Sequence, residues 1–229
     1  MNTKHKKPTL TKKQRHKLRV QQVRRQKIFL TCLFLLIVGC ILLRFSKFSG
    51  RQEEAHQINA ACEAYRDEVS SEAAQYDMSD YVDLLLAVMM QESSGQGTDP
   101  MQSSEGAYNT RYPQQPNGIT DPSYSISCGI QELKYALEKA VCTGPTDLSK
   151  IRLALQAYNF GADSYFAYLE ENGQTVWTAQ SAQAFAQMAS GNTQRDEDDP
   201  LHDPAGPWDY GDQYYPDHVL RYYHLDNNS

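Results

Sequence analysis

The chain has 229 residues with 22 Lys+Arg, 28 Asp+Glu and a formal net charge of -6. Its mean hydropathy is polar, so a multi-span membrane protein is excluded while a single span stays open. The charge is divided unevenly: residues 1–27 hold 11 of the 22 basic residues and no acidic one, which leaves 11 basic against 28 acidic in residues 28–229. Length suits one globular domain of ordinary size, and five cysteines are too few for a disulfide scaffold.

In chain order, residues 1–27 form a basic tail. The next 16 residues, Ile28 to Leu43, carry no charge and are interrupted only by Thr31 and Gly39. As a helix they cover about 24 Å, slightly short of a hydrocarbon core, but Arg44 can snorkel and Phe45 extends the apolar run. A single transmembrane helix over residues 28–45 is the expectation. Eleven basic residues before it, against Arg44, Lys47 and Arg51 after it, place the N-terminus in the cytoplasm and the acidic body outside the cell. A cleaved signal peptide fits less well, because the charged region is long and no small-x-small site follows Leu43. Ile37-Val38-Gly39-Cys40 is similar to a lipoprotein cleavage box, yet Ile41, Leu42 and Leu43 continue the apolar run past the cysteine. The tail lacks interleaved aromatics, so it reads as a topology determinant touching anionic lipid, with no specific nucleic-acid partner.

Residues 46–57 read as a linker, and residues 58–229 as one mainly α domain. Ser79 can cap a helix in which Val82, Leu85, Leu86, Met89 and Met90 share a face while Leu84, Ala87 and Val88 make the other faces apolar. Such a helix is central and buried, and Gly95 and Gly97 stop it. A second stripe runs through Ile126, Ile130, Leu133, Leu137 and Val141. A third runs through Leu148, Ile151, Leu155 and Tyr158 and ends near Gly161. Shorter helical segments follow around Ser164 to Glu170, Thr178 to Ser190 and Pro216 to Tyr223; the acidic, Pro-rich Gln194 to Pro207 reads as a loop. If one helix joins Cys128 to Cys142 they lie about 21 Å apart, beyond disulfide reach. That leaves Cys62 either paired with one of them or, like them, a buried thiol.

Glu92 stands out chemically. It closes the most hydrophobic helix of the domain, with Met89, Val88 and Leu85 one and two turns behind it. Burial and the negative helix end both raise a carboxyl pKa, and an acid kept protonated near neutral pH can donate to a leaving-group oxygen. Its neighbours in sequence form an ordered set: Gln91-Glu92-Ser93-Ser94-Gly95, Asp99-Pro100-Met101-Gln102, Ser125-Ile126 with Gly129 and Leu133, and Ala157-Tyr158-Asn159-Phe160-Gly161. This set resembles the lysozyme-like superfamily of goose-type lysozymes and soluble lytic transglycosylases, from about Val69 to Asn159, with a weaker echo at Tyr210 to Tyr223. Met101-Gln102-Ser103-Ser104-Glu105 and Gly118-Ile119-Thr120-Asp121-Pro122 resemble most the goose-type domain of cell-wall hydrolases in Gram-positive conjugative elements.

The resemblance implies a lysozyme-like fold and cleavage of the glycosidic bond between N-acetylmuramic acid and N-acetylglucosamine, with Glu92 as general acid. Ser93 would support it, Gln102 would hydrogen-bond the sugar with Met101 beside it in the substrate-binding set, and Tyr158 with Asn159 would line the cleft and steady the acid. Glu105, three residues past Gln102, stands where goose-type lysozymes place a second carboxylate and tips the expectation toward hydrolysis; Asp99 and Asp121 are the other acids near in sequence. A lytic transglycosylase, giving 1,6-anhydro ends, needs only the one Glu. A catalytically idle, wall-binding scaffold of a secretion apparatus is the alternative of another class. The chain departs from the transglycosylase pattern at Asp99-Pro100, where Gly-Leu is usual, and at Ser125, where Asn is common. No cofactor or metal is expected. Peptidoglycan glycan strands, the membrane and conjugation proteins are the implied partners, and peptide cleavage would need another protein. Residues 52–229 carry 8 basic against 28 acidic residues. So acidic a surface is not drawn to anionic wall polymers, and the anchor would have to hold the enzyme at its substrate.

Overall fold

The computed structural model describes residues 56–199 and 202–224. Asn59 opens the first helix, α1 (Ala60–Glu63), by accepting from the Cys62 N–H, and its side-chain amide donates to the Ser94 carbonyl at 3.0 Å. α2 (Arg66–Gln75) follows. A short 3-10 turn (Ser79–Tyr81) then leads into α3 (Val82–Glu92). Ser79 was expected to cap α3; instead α3 begins at Val82 behind Tyr81, with no side-chain cap. Six consecutive residues of α3, Leu84 to Met89, are buried. The helix is therefore enclosed on every face, as its all-round apolar pattern requires.

A long loop separates α3 from α4 (Pro122–Lys139). Asp121 caps α4 by accepting from the Ser123 and Tyr124 N–H groups, with Pro122 at the first turn. α5 (Leu148–Phe160) is capped by Asp147 and ends at Gly161, whose φ of 84° suits a residue without Cβ. α6 (Ala162–Glu171) continues from that glycine, and α7 (Ala179–Ala189) opens with a reciprocal capping box between Thr178 and Ser181. An arm then returns to the centre and ends in α8 (Tyr215–Leu220).

α5 packs against α4, α6 and α8, while α3 packs against α1, α2 and α8. The mainly helical expectation holds: among the described residues there is no β-strand, only an isolated bridge between Gln194 and Trp208. Cys62, Cys128 and Cys142 are all free thiols, so the pairing of Cys62 that spacing left open is not made. The basic tail, the span at 28–45 and most of the linker lie outside the described residues. Among those described, no helix is long and apolar enough to cross a membrane.

Candidate active site

Glu92 is the last residue of α3, and the chain around it is fastened from three directions. The first is the turn that follows. Ser93 donates through Oγ to the Pro100 carbonyl at 2.8 Å and accepts from the Gly95 N–H at 3.1 Å, so it ties the helix end to the loop. Gly95 has φ 73°, and a Cβ there would lie 2.8 Å from the Cys62 nitrogen, which reserves the position for glycine.

The second fastening is the loop carrying Asp99, Met101, Gln102 and Glu105. Asp99 is buried (1% exposed) and its carboxylate accepts from the Ser103 N–H at 3.0 Å, the Ser104 N–H at 3.2 Å, Ser104 Oγ at 2.5 Å and Ser125 Oγ at 2.6 Å. Ser125 also accepts from the Met101 N–H at 3.1 Å. The two positions at which the chain departs from the transglycosylase pattern are thus bonded to each other. A short Ser on α4 leaves room for the carboxylate that closes the loop. Met101 is buried against Gly129, where a Cβ would lie 2.7 Å from the Met101 Cβ, and the Met101 carbonyl accepts from Tyr158 Oη at 2.8 Å.

The third fastening is the C-terminal arm. Asn159 Oδ1 accepts from the Asp212 N–H at 2.7 Å, and Tyr210 Oη donates to the Phe160 carbonyl at 3.0 Å. So anchored, the arm delivers Tyr215, which is buried and donates to Glu92 Oε1 at 2.5 Å. The Tyr158 and Tyr215 rings stack with centroids 6.3 Å apart and planes 21° apart.

This environment sets the acid. Burial, above all, pushes the Glu92 carboxyl up to about 7; the charges of Asp212 and Asp99 push the same way, and the Tyr215 hydrogen bond opposes them. Part of the residue nevertheless stays accessible. A carboxyl that holds its proton near neutrality is what general-acid chemistry requires.

The structure distributes the other expected residues unevenly. Ser93, Met101, Tyr158 and Asn159 all join the framework around Glu92, but Asn159 works by holding the arm. Gln102 is exposed in the left-handed region (φ 50°), and its amide donates to the Asp99 carbonyl at 2.9 Å and Asn117 Oδ1 at 3.1 Å. Glu105 is exposed on the loop. Asp121 is occupied as the cap of α4.

Three groups escaped the reading from sequence. Tyr215 and Asp212 lie in the arm, where the Tyr-rich end was only a weak signal. Glu132 lies on the α4 face shared with Ser125 and Gly129, four and three residues apart in turn, and that spacing is the one sequence signal for it. Burial pushes Glu132 up to about 8, against a hydrogen bond from the Tyr108 backbone, with Asp99 and Glu92 adding to the rise. Its Oε1 has no partner, and a Cβ on Gly106 would sit 1.5 Å from that atom. Among the described residues no group of His, Cys, Asp and Glu could hold a metal ion.

A helical domain with one raised acid closing its most enclosed helix, steadied by a Ser turn, a Met-Gln loop and a Tyr-Asn segment, has the architecture of the lysozyme-like class. The chain belongs to this family: the Lysozyme-like family model matches residues 60–223. It is 34% identical over 173 residues to the bifunctional muramidase/DL-endopeptidase CwlT of Bacillus subtilis (strain 168), covering 76% of this chain and 43% of CwlT. It is 39% identical over 115 residues to the uncharacterized membrane protein YocA of the same organism, covering 48% of this chain and 45% of YocA. The chain therefore spans less than half the length of these two relatives. A crystal structure titled as similar to a lipoprotein of the NLP/P60 family, from Staphylococcus aureus subsp. aureus Mu50, superposes with a TM-score of 0.62 at 26% identity, covering 76% of this chain and 56% of that one.

Proposed function

We propose that this chain is a membrane-anchored peptidoglycan hydrolase, a muramidase that cleaves the β-1,4 bond between N-acetylmuramic acid and N-acetylglucosamine. The observation that carries the reading is Glu92: a carboxyl raised to about 7 by burial and hydrogen-bonded by Tyr215, on a residue that keeps part of its surface accessible. In the reaction the protonated Glu92 gives its proton to the glycosidic oxygen as the bond to the muramyl C1 breaks through an oxocarbenium-like transition state. The Tyr215 hydroxyl then stabilises the carboxylate that Glu92 becomes. Water, activated by a second carboxylate, completes hydrolysis, and Glu105 is the acid we assign to that step: it is exposed on the loop next to Gln102. The similarity to a relative titled a muramidase supports the reaction class.

One observation favours a second reading, the lytic transglycosylase. Asp99 and Asp121 are both committed to hydrogen bonds of the fold, and intramolecular attack by the muramyl 6-hydroxyl dispenses with a water-activating carboxylate. Mass spectrometry of the muropeptides released by the full chain separates the two. Reducing muramic ends mean hydrolysis, and a mass lower by one water means the anhydro product. Glu92→Gln is expected to abolish cleavage with the fold intact by circular dichroism; substantial retained turnover would overturn the mechanism.

The tail and span at residues 1–45 place the domain on the outer side of the cytoplasmic membrane in this reading, with the basic residues inside. A local muramidase on a tether suits a conjugative apparatus that must cross a thick wall. Membrane fractionation with protease protection of the tail tests the topology.

A further inference from the structure

Gln156 is fully buried in α5, and every other buried residue of that helix is apolar. An amide in such a place costs stability unless both its ends are paired, and here both are. Nε2 donates to the Asp212 carbonyl at 2.8 Å, and Oε1 accepts from the Trp177 indole N–H at 2.9 Å. An indole nitrogen only donates, so it takes the amide oxygen and leaves the amide nitrogen turned toward the arm. Trp177 lies in the connection between α6 and α7, with the Arg152 guanidinium 5.4 Å over its ring.

The carbonyl that Gln156 holds is the one from which α8 starts. It also accepts from the Tyr215 N–H at 3.2 Å, while the Asp212 N–H donates to Asn159 Oδ1 at 2.7 Å. Gln156 and Asn159, three residues apart on α5, thus hold the two sides of one residue. Tyr215 in turn donates through Oη to Glu92 Oε1 at 2.5 Å. A continuous set of contacts therefore leads from Trp177 through Gln156, the Asp212 carbonyl and Tyr215 to the acid. Arg152 pairs with Asp217, and Arg221 donates to Gln91 Oε1 at 3.2 Å; both hold α8 beyond Tyr215, not the carbonyl in front of it.

We infer that Gln156 is a positioning residue for the acid step: by holding the Asp212 carbonyl, in an orientation fixed by Trp177, it sets where Tyr215 presents its hydroxyl to Glu92. A hydroxyl lowers the proton affinity of a carboxylate only while the two are aligned at hydrogen-bond distance. Freeing the carbonyl to which the Tyr215 main chain is bonded lets the phenol drift. Glu92 then holds its proton more tightly, and the carboxylate it becomes is less well stabilised. This inference rests on the assignment of Glu92 as the acid.

The test is the titration of the Glu92 carboxyl carbon by NMR in the full chain, 13C-labelled at glutamate in detergent micelles, with the resonance assigned by its loss in Glu92→Gln. The titratable groups that bear on Glu92 are Tyr215 and Asp212 on the arm, Asp99 on the loop, Tyr158 on α5 and Glu132 on α4. On the side of α1 and α2, Glu63, Arg66 and Asp83 gather at the first turn of α3, the opposite end from Glu92. Gln156→Met keeps the length of the side chain and leaves all of these groups in place. It is expected to raise the Glu92 midpoint by about half a pH unit, roughly a threefold gain in proton affinity. In a Tyr215→Phe background the same change should raise it no further. A Gln156 that only stabilised the fold would lower the melting temperature and leave the midpoint where it was, and that result, or a rise that persists without the Tyr215 hydroxyl, would overturn the inference. Should Gln156→Met fail to fold, Trp177→Phe, which keeps a ring beneath Arg152 but removes the indole donor, should give a smaller rise; an unmoved midpoint there overturns it equally. Because the titration needs no turnover, the two readings fail separately. A raised midpoint in a chain that cleaves no peptidoglycan would retire the muramidase reading and keep the positioning role; cleavage with an unmoved midpoint would do the reverse.

Discussion

Glu92 and Tyr215 are 123 positions apart in sequence and 2.5 Å apart in space, and their effects on the same proton are opposed. Removing the hydroxyl in Tyr215→Phe takes away the hydrogen bond that lowers the acid. The Glu92 midpoint should therefore rise above about 7. Turnover should fall about tenfold or more, because a charge-assisted bond that steadies the departing state is lost. A pH–rate profile of that variant checks both at once. Glu92→Gln carries a second expectation, for stability. An acid whose folded pKa is raised gives its full contribution below about 4.5 and loses it as pH rises through about 7, because the unfolded chain ionises first. The Gln variant should thus be more stable than the unmodified chain at pH 8, by about 1–3 kcal/mol, and no more stable at pH 4. Denaturant titrations at the two pH values measure this. The acid itself was legible in sequence, since a Glu closing an all-apolar helix has few innocuous explanations. Its hydroxyl partner was not, because one tyrosine among fifteen gives no sign of which will reach back.

At the scale of elements, helix ends were the most legible feature. Gly161 terminates α5 and Thr178 opens α7, where glycine and capping chemistry indicate. The start of α3 was misread because Ser79 lies in a 3-10 turn, in which the Tyr81 N–H bonds the Met78 carbonyl at 2.9 Å; with that turn in place α3 begins at Val82 behind Tyr81. The contact between α4 and the Met-Gln loop belongs to tertiary structure alone. Gly129 lets Met101 approach so closely that a Cβ would meet its Cβ, Cγ and Cε at 2.7–3.0 Å. Gly129→Ala should therefore push the loop outward, cost about 1–3 kcal/mol and reduce turnover by displacing the carbonyl that Tyr158 bonds. Thermal melting together with an activity assay decides it; a variant as stable and active as the original would show that the loop repacks freely.

At the scale of the whole molecule, two raised acids dominate the pH response among the described residues. Glu92 and Glu132, at about 7 and about 8, both take up protons on folding, so stability should decline as pH rises from about 5 to 9. Glu132→Gln should flatten the upper part of that decline, which melting temperatures across the range would record. Reductant should leave the melting temperature unchanged, since Cys62, Cys128 and Cys142 are unpaired and burial pushes the first two thiols up to about 11. The sequence by itself determined the division of charge between a basic tail and an acidic body, the helical class, the central place of α3 and the identity of its terminal acid. Each of these follows from local composition or from periodicity along one element. Only the tertiary structure decided which acids surround Glu92. Asp99 turned inward to bond Ser125, Glu132 was folded under Gly106, and Asp212 arrived on an arm more than a hundred residues downstream. Such pairings arise from the closing of distant segments onto each other, and no periodicity within a single segment encodes them.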